Sequence, residues 1–362
     1  MIIIYVLIVL SSSIVAFINV SPQFGSNPNS KQKQFYSTFP NYMDGEFKNL
    51  EQTIMVTSDM PMTNFFKRDS NRVPSEDLIP NIIDIEAFRK NDDNSIKFSW
   101  LGHSAFLFNI NGKIIMLDPM LGKYAAPIPI PTLRRYHTKI ALSFDDLDSI
   151  DAVIFSHDHY DHLDYSTVKK LKNKVKKYFV PLGLGNHLIS WGIKEELIIE
   201  LNWNQIAYFD EMELICLPSR HFSGRGLYNR NSTLWASWAI ISKYGKIYFS
   251  GDSGYGEHFG KIGEQFGPFD LTLIDCGQYN RAWKHSHMFP KEAIVAAQDL
   301  GSDYFMPIHW GAFTLSTHTW TEPIEGALLY AKKYNQKIIA PELGQIVLLN
   351  NVKEDIHEWW KN

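Results

Sequence analysis

Cysteine is almost missing from this chain of 362 residues: Cys216 and Cys276 are the only two, and neither lies in a C-x-x-C pair. That excludes a disulfide framework and leaves the redox compartment open. An excess of positive charge is missing too. Lys and Arg number 35 against 39 Asp and Glu, a net of −4, so nucleic acid is excluded as the main partner. Charge of either sign is absent from the first twenty residues, and residues 21–92 lack a steady apolar period.

The length suffices for a large core, as one domain with extensions. Aromatic residues reach 14%, which serves either that core or an apolar groove facing a membrane. Residues 1–20 read as a signal sequence or an uncleaved membrane anchor, since about 20 apolar residues can just span a bilayer. The chain is therefore expected at a membrane, in the cell envelope. Residues 21–92, rich in Asn, Gln, Ser and Pro, read as a linker and wrapping arm with a turn at 41–45. Residues 93–362 form the compact domain.

The densest chemistry lies at residues 156–164, SHDHYDHLD, directly after the apolar run 151–155. Residues 165–177 then carry apolar side chains at helical spacing, so the cluster occupies a strand-to-helix loop. In extended backbone, residues two apart face the same way, which lets His157 and His159 grip one cation. Asp161 and His162, where the chain turns, point toward a second. Imidazole and carboxylate together suit zinc.

Strands are expected around residues 95–110, then through a tight Asn111-Gly112 turn into 113–118, and again at 178–181, 214–217, 238–241, 246–249, 271–274 and 304–306. A helix fits 291–300, opened by Pro290 and closed by Gly301. The first half reads as hairpin-rich and the second as mixed, giving two packed sheets with helices outside. The Pro-rich segment 119–131 is either a covering loop or a substrate-access wall. His221, Asp252 and His309 each follow an apolar strand, where strand ends along one edge can converge.

His157-x-His159-x-Asp161-His162 followed by His221, Asp252 and His309 resembles the ordered ligand set of the metallo-β-lactamase superfamily. The resemblance implies an α+β fold, a four-layer αβ/βα sandwich with two metals between the sheets. β-Lactamases of that superfamily use a cysteine where this chain has Asp252, and flavodiiron proteins a Glu where it has His159, which points away from both chemistries. Residues 100–104 (WLGHS), 178–183 (YFVPLG), 218–221 (PSRH), 234–238 (LWASW), 251–255 (GDSGY), 266–271 (FGPFDL) and 308–311 (IHWG) are similar to the N-acylphosphatidylethanolamine-hydrolysing phospholipase D family. The likeness departs at Asp158, Asn in the mammalian enzymes, and at 276–280.

From that resemblance, His157, His159 and His221 hold one zinc, Asp161, His162 and His309 the other, and Asp252 bridges. The zinc-bound hydroxide would cleave an N-acylphosphatidylethanolamine-like phospholipid to N-acylethanolamine and phosphatidic acid. Asp161 would orient or deprotonate the water, and His287 would hydrogen-bond a phosphoryl oxygen or assist the leaving group. His103 and Asp118 are expected behind the ligands, and Trp238, Trp283 and Trp310 either line an acyl groove or pack the core. A homodimer is expected from the likeness. The alternative is another hydrolase of this fold, a lactonase or a soluble phosphodiesterase.

Overall fold

The computed structural model describes residues 2–57, 70–90, 95–352 and 356–361. Strands β1 (Tyr42–Met43) and β2 (Glu46–Phe47) form a small hairpin. The first large sheet holds β3 (Ile96–Trp100), β4 (Phe106–Ile110), β5 (Lys113–Leu117), β6 (Ile150–Ile154), β7 (Val175–Pro181) and β8 (Ile198–Leu201). The second holds β9 (Ile206–Phe209), β10 (Met212–Leu217), β11 (Ser237–Ser242), β12 (Gly245–Phe249), β13 (Phe269–Asp275), β14 (Ser302–Ile308) and β15 (Lys337–Ile338). The last strand, β16 (Ile346–Leu348), returns to the first sheet beside β3.

Each sheet changes from antiparallel to parallel midway. β3, β4 and β5 pair antiparallel, then β5 to β8 parallel; β9 to β12 pair antiparallel, then β12 to β15 parallel. The hairpin-rich first half expected from sequence is therefore corrected: both halves are mixed, because the crossovers carrying residues 118–149 and 155–174 return each chain segment in the same direction. At the β4–β5 turn, Asn111 and Gly112 both have positive φ, 52° and 80°, the primed geometry that matches strand twist.

Helices cover both outer faces. α1 (Ile2–Val20) and α2 (Ser30–Tyr36) precede the sheets. α3 (Ile85–Arg89), α4 (Tyr165–Leu171) and α5 (Gly185–Ser190) pack on the first sheet through Ile85, Phe88, Val168, Leu171 and Leu188. α6 (His258–Phe266), α7 (Pro290–Asp299) and α8 (Glu322–Tyr334) pack on the second through Phe259, Ile294, Ala297 and Ala327. Between the sheets Phe98, Phe106, Phe108, Trp235, Trp238, Phe249 and Trp310 are buried. The result is the four-layer αβ/βα sandwich. The helix expected over 165–177 stops at Leu171, and Val175, Lys176 and Lys177 belong to β7. The amide of Lys174 closes a turn onto Leu171 O, and Val175 enters the sheet as a buried strand residue.

Within residues 21–92, Tyr36, Tyr42 and Phe47 are buried in the inter-sheet core. Each buried side chain of that size stabilises by roughly 1.5–3 kcal/mol, so the stretch 36–47 is packed into the fold. No helix among the described residues is long and apolar enough to cross a membrane. The Pro-rich loop covers the structure: Met120 and Ala125 pack against Ala312 and Phe313.

Candidate metal centre

Strands β3, β5 and β6 of one sheet, and β10, β12, β13 and β14 of the other, run the same way within their sheets, so their C-terminal ends meet along one edge. Functional groups of αβ sheets gather at such ends. His103 follows β3, Asp118 follows β5, residues 156–162 follow β6, His221 follows β10, Asp252 follows β12 and His309 follows β14. Asp275 is the last residue of β13. Three of these turn sharply: His103, Asp118 and His309 hold φ of 57°, 35° and 69°. Non-glycine residues seldom adopt that region, and it recurs where a site demands a side-chain direction.

Two groups of ligand atoms form. His157, His159, His221 and Asp252 gather in one, and His103, Asp161, His162 and His309 in the other. Asp252 faces both. Its Oδ1 lies 3.0 Å from His162 Nε2, and its Oδ2 lies 3.7, 3.6 and 3.3 Å from the Nε2 atoms of His157, His221 and His309. Every ligand residue expected from sequence is thus brought to one place, with His103 added directly to the second group.

The hydrogen bonds behind the cluster show why it suits cations. His221 Nδ1 donates to Ser286 O at 3.0 Å, leaving Nε2 a bare lone pair. Ser156 Oγ donates to Asp118 and so accepts from His157 Nδ1 at 2.9 Å, which leaves the Nε2 of His157 bare as well. Those two nitrogens lie 3.2 and 2.9 Å from His159 Nδ1. His159 Nδ1 can donate to only one of them, so at least one ring lone pair is left facing another nitrogen, an arrangement that a cation between the rings relieves. On the other side, His162 Nδ1 donates to Asp118 Oδ2 at 2.7 Å. The buried His162 Nε2 and Asp252 Oδ1 lie 3.0 Å apart but are poorly aligned for a hydrogen bond, and neither has another partner among the described residues. Buried polar atoms left in that state are rare without a ligand. The donor set fits divalent metal ions.

The two halves differ in proton affinity. Burial lowers His157, His159 and His221, and neighbouring imidazoles push His157 down further. Burial is the largest single influence on His162 and His309 and acts downward, but the carboxylates around them, Asp252 foremost with Asp161, Asp118 and Asp275, together outweigh it: His162 is raised well above the ordinary range and His309 to about 10. For Asp161 and Asp252 burial favours the neutral acid, yet His162 and the other imidazoles hold both carboxyls well below the usual carboxylate range.

A second tier holds the loop. Asp158 is buried and accepts from Gly224 N at 2.8 Å, Thr233 Oγ1 at 2.9 Å and His187 Nε2 at 3.2 Å. Arg225 donates to Asp158 O and Leu163 O, reaches back to Gln23 O, and stacks 4.1 Å over Tyr160. From the N-terminal arm, Asn49 exchanges two hydrogen bonds with the backbone of His221, at 2.8 and 3.1 Å.

Above the ligands lies a cavity of about 240 Å³ whose walls include His159, Asp161, Asp252, His287 and His309 together with Met55, Val56, Phe222, Trp283, Leu315 and Arg230. Trp283 therefore faces the site, whereas Trp238 and Trp310 are buried core residues. His287 sits at the cavity with its Nδ1 2.9 Å from Asp275 Oδ2. Sequence reading passed over Asp275, although it ends an apolar strand as the ligands do. It also passed over Asn49, Met55 and Val56, which carry no local signal because the arm's path over the site is a tertiary matter.

A sandwich of this topology with a carboxylate set between two imidazole groups defines a metal-dependent hydrolase. The Beta-lactamase superfamily domain matches residues 113–310. An uncharacterised protein of Mycobacterium tuberculosis is 40% identical over 334 residues, covering 89% of this chain and 87% of its own. N-acyl-phosphatidylethanolamine-hydrolyzing phospholipase D 1 of Caenorhabditis elegans is 33% identical over 277 residues, covering 71% and 78%. In structure the chain is similar to Igni18, a metallo hydrolase of Ignicoccus hospitalis, with a TM-score of 0.52 and 20% identity over 70% of this chain and 98% of that one. The chain belongs to the metallo-β-lactamase superfamily, and within it resembles the N-acylphosphatidylethanolamine-hydrolysing phospholipases D.

Proposed function

We propose that the chain is a phospholipase D-type phosphodiesterase loaded with two zinc ions, acting on N-acylphosphatidylethanolamine-like lipids. The observation that carries this reading is the cavity: its floor is the two ligand groups joined by Asp252, and its walls are Met55, Val56, Phe222, Trp283 and Leu315. A charged reacting group and an apolar chain are accommodated side by side, as a phospholipid requires. His157, His159 and His221 with Asp252 hold one ion; Asp161, His162, His309 and Asp252 hold the other. When bound, such a pair activates water near neutral pH and draws charge from phosphoryl oxygens.

Asp161 orients the attacking water and takes its proton. Water oxygen joins phosphorus, the bond to the ethanolamine oxygen breaks, and His287 hands a proton to that departing oxygen. The products are phosphatidic acid and N-acylethanolamine. His103 steadies Asp161 through a 2.9 Å contact to its Oδ2, and Asp118 steadies His162.

The lipid reading extends to location. Ile4, Tyr5, Val9, Ile14, Val15, Phe17 and Val20 of α1 are exposed, which supports attachment to an envelope membrane. Phe17 meets Phe24, and Phe24 meets Tyr160 of the ligand loop, edge to face at 5.8 and 6.2 Å. A helix held by lipid is in this way tied to the site. The test is incubation of the zinc-loaded protein with N-acylphosphatidylethanolamine and detection of phosphatidic acid. No phosphatidic acid, with turnover of a soluble diester or a lactone, replaces the lipid substrate with one of those.

A further inference from the structure

Asp275 has no part in the chemistry described so far, yet both of its oxygens are committed. The residue is fully buried at the end of β13. Its Oδ2 lies 2.9 Å from His287 Nδ1, and its Oδ1 lies 3.2 Å from His309 Nδ1. The amides of Ser253 and Gly277 add donors at 3.2 and 3.3 Å. The two imidazoles it holds are stacked, 5.1 Å between centroids at 18°. One carboxylate thus clamps two parallel rings, one on the metal floor and the other on the cavity wall.

A buried carboxylate beside ring nitrogen accepts the proton there and so decides which nitrogen stays free. With Nδ1 of His287 committed to Asp275, Nε2 is the atom left to face the cavity. Among the described residues the ring makes no other hydrogen bond. Its remaining neighbours, His221 at 5.1 Å and Trp283 at 6.1 Å between centroids, are ring contacts. We infer that Asp275 is the positioning residue of His287: it retains the hydrogen on Nδ1 throughout, so that the proton handed to the departing oxygen is the one carried on Nε2, which faces it, and it aligns that ring with the His309 ligand. This deepens the reading of His287 as the group that protonates the leaving oxygen, and rests on it.

Two measurements on the full chain loaded with zinc test the inference. The first needs no substrate. ¹⁵N NMR of histidine-labelled protein should show a His287 signal locked with its hydrogen on Nδ1, absent in His287→Gln and released to exchange between both nitrogens in Asp275→Asn. A His287 that already exchanges in the wild type overturns the inference.

The second compares N-acylphosphatidylethanolamine with its analogue carrying sulfur at the scissile bridging position, because a thiolate leaves without needing a proton. His287→Gln and Asp275→Asn should each lower kcat on the oxygen lipid by about 10²-fold and on the sulfur lipid by less than about threefold, and the double variant should be no worse than His287→Gln alone. Equal losses on both lipids in Asp275→Asn mean that it acts only through His309 and the metal floor, and overturn the inference. Wild type that hydrolyses neither lipid but keeps the locked ring sinks the phospholipase reading and leaves the positioning role standing. Selective loss in His287→Gln but not in Asp275→Asn does the reverse.

Discussion

Replacing Asp118 with Asn should loosen both metal ions, although Asp118 touches neither group of ligand atoms that faces the cavity. Its Oδ1 accepts from the amide of Ser156 at 2.7 Å, and its Oδ2 accepts from His162 Nδ1 at 2.7 Å and from Ser156 Oγ. Through Ser156 Oγ it also decides that His157 carries its hydrogen on Nδ1. One carboxylate therefore sets the free nitrogen of a ligand in each half. In Asp118→Asn the amide NH₂ must face either His162 or Ser156 Oγ. If it faces His162, that ring must keep its hydrogen on Nε2, where the metal should bind. Losing such support behind a ligand lowers metal affinity by about 10- to 100-fold, or about 1.4–2.8 kcal/mol. The weaker ion should be the one held by His162, since His157 feels the change through an intervening hydroxyl. Zinc titration against a chromophoric chelator, with the far-UV circular dichroism spectrum checking that the fold persists, measures both affinities. A folded Asp118→Asn protein that binds two zinc ions as tightly as the wild type refutes the argument.

Asp161→Asn should stay folded while turnover falls by about 10²–10⁴-fold, followed by initial rates at saturating zinc. Glu200, half-buried against the amides of Gly183 and Gly185 at 3.0 and 2.8 Å, is raised by loss of solvent around its carboxyl from 4.5 to about 7. A carboxyl raised on folding contributes stability that is whole below its unfolded value and lost as pH climbs through the folded one. Urea midpoints should therefore drop between pH 5 and pH 8 by an amount equivalent to at most about 3 kcal/mol. Glu200→Gln, which keeps the accepting oxygen, should remove that Glu200 contribution to the slope. Arg225→Ala strands the carbonyls of Asp158, Leu163 and Gln23, and should cost about 3–5 kcal/mol and speed proteolytic cleavage of the arm around residue 23; unchanged cleavage rates would count against the clasp.

The ligand loop could be read from sequence because its residues are neighbours in the chain and the strand before it is an unbroken apolar run. His221, Asp252 and His309 were legible for a related reason: each stands just beyond a buried strand, and strands that run the same way end together. Asp275 follows the same rule but stands at its strand's last position, so composition alone did not separate it from a sheet residue. The direction of His287 was not legible at all, because it depends on a carboxylate twelve residues earlier that meets it only across two loops. The arm is the larger case. Nothing local in residues 48–57 announces a role, since Asn49 gains its hydrogen bonds to His221, and Met55 and Val56 their place in the cavity wall, only after the chain has wrapped the domain.

By itself the sequence determined the chemistry: residue types that bind hard and borderline cations, at spacings that strand and loop geometry turn into convergence. What only the tertiary structure decided is the set of protonation and orientation choices behind those ligands, made by Asp118, Asp275 and Asp158, and the walls that select a substrate. The physical reason is that spacing along a chain sets which side chains share a strand end, whereas a ring's free nitrogen and a cavity's lining are set by contacts between segments far apart in sequence.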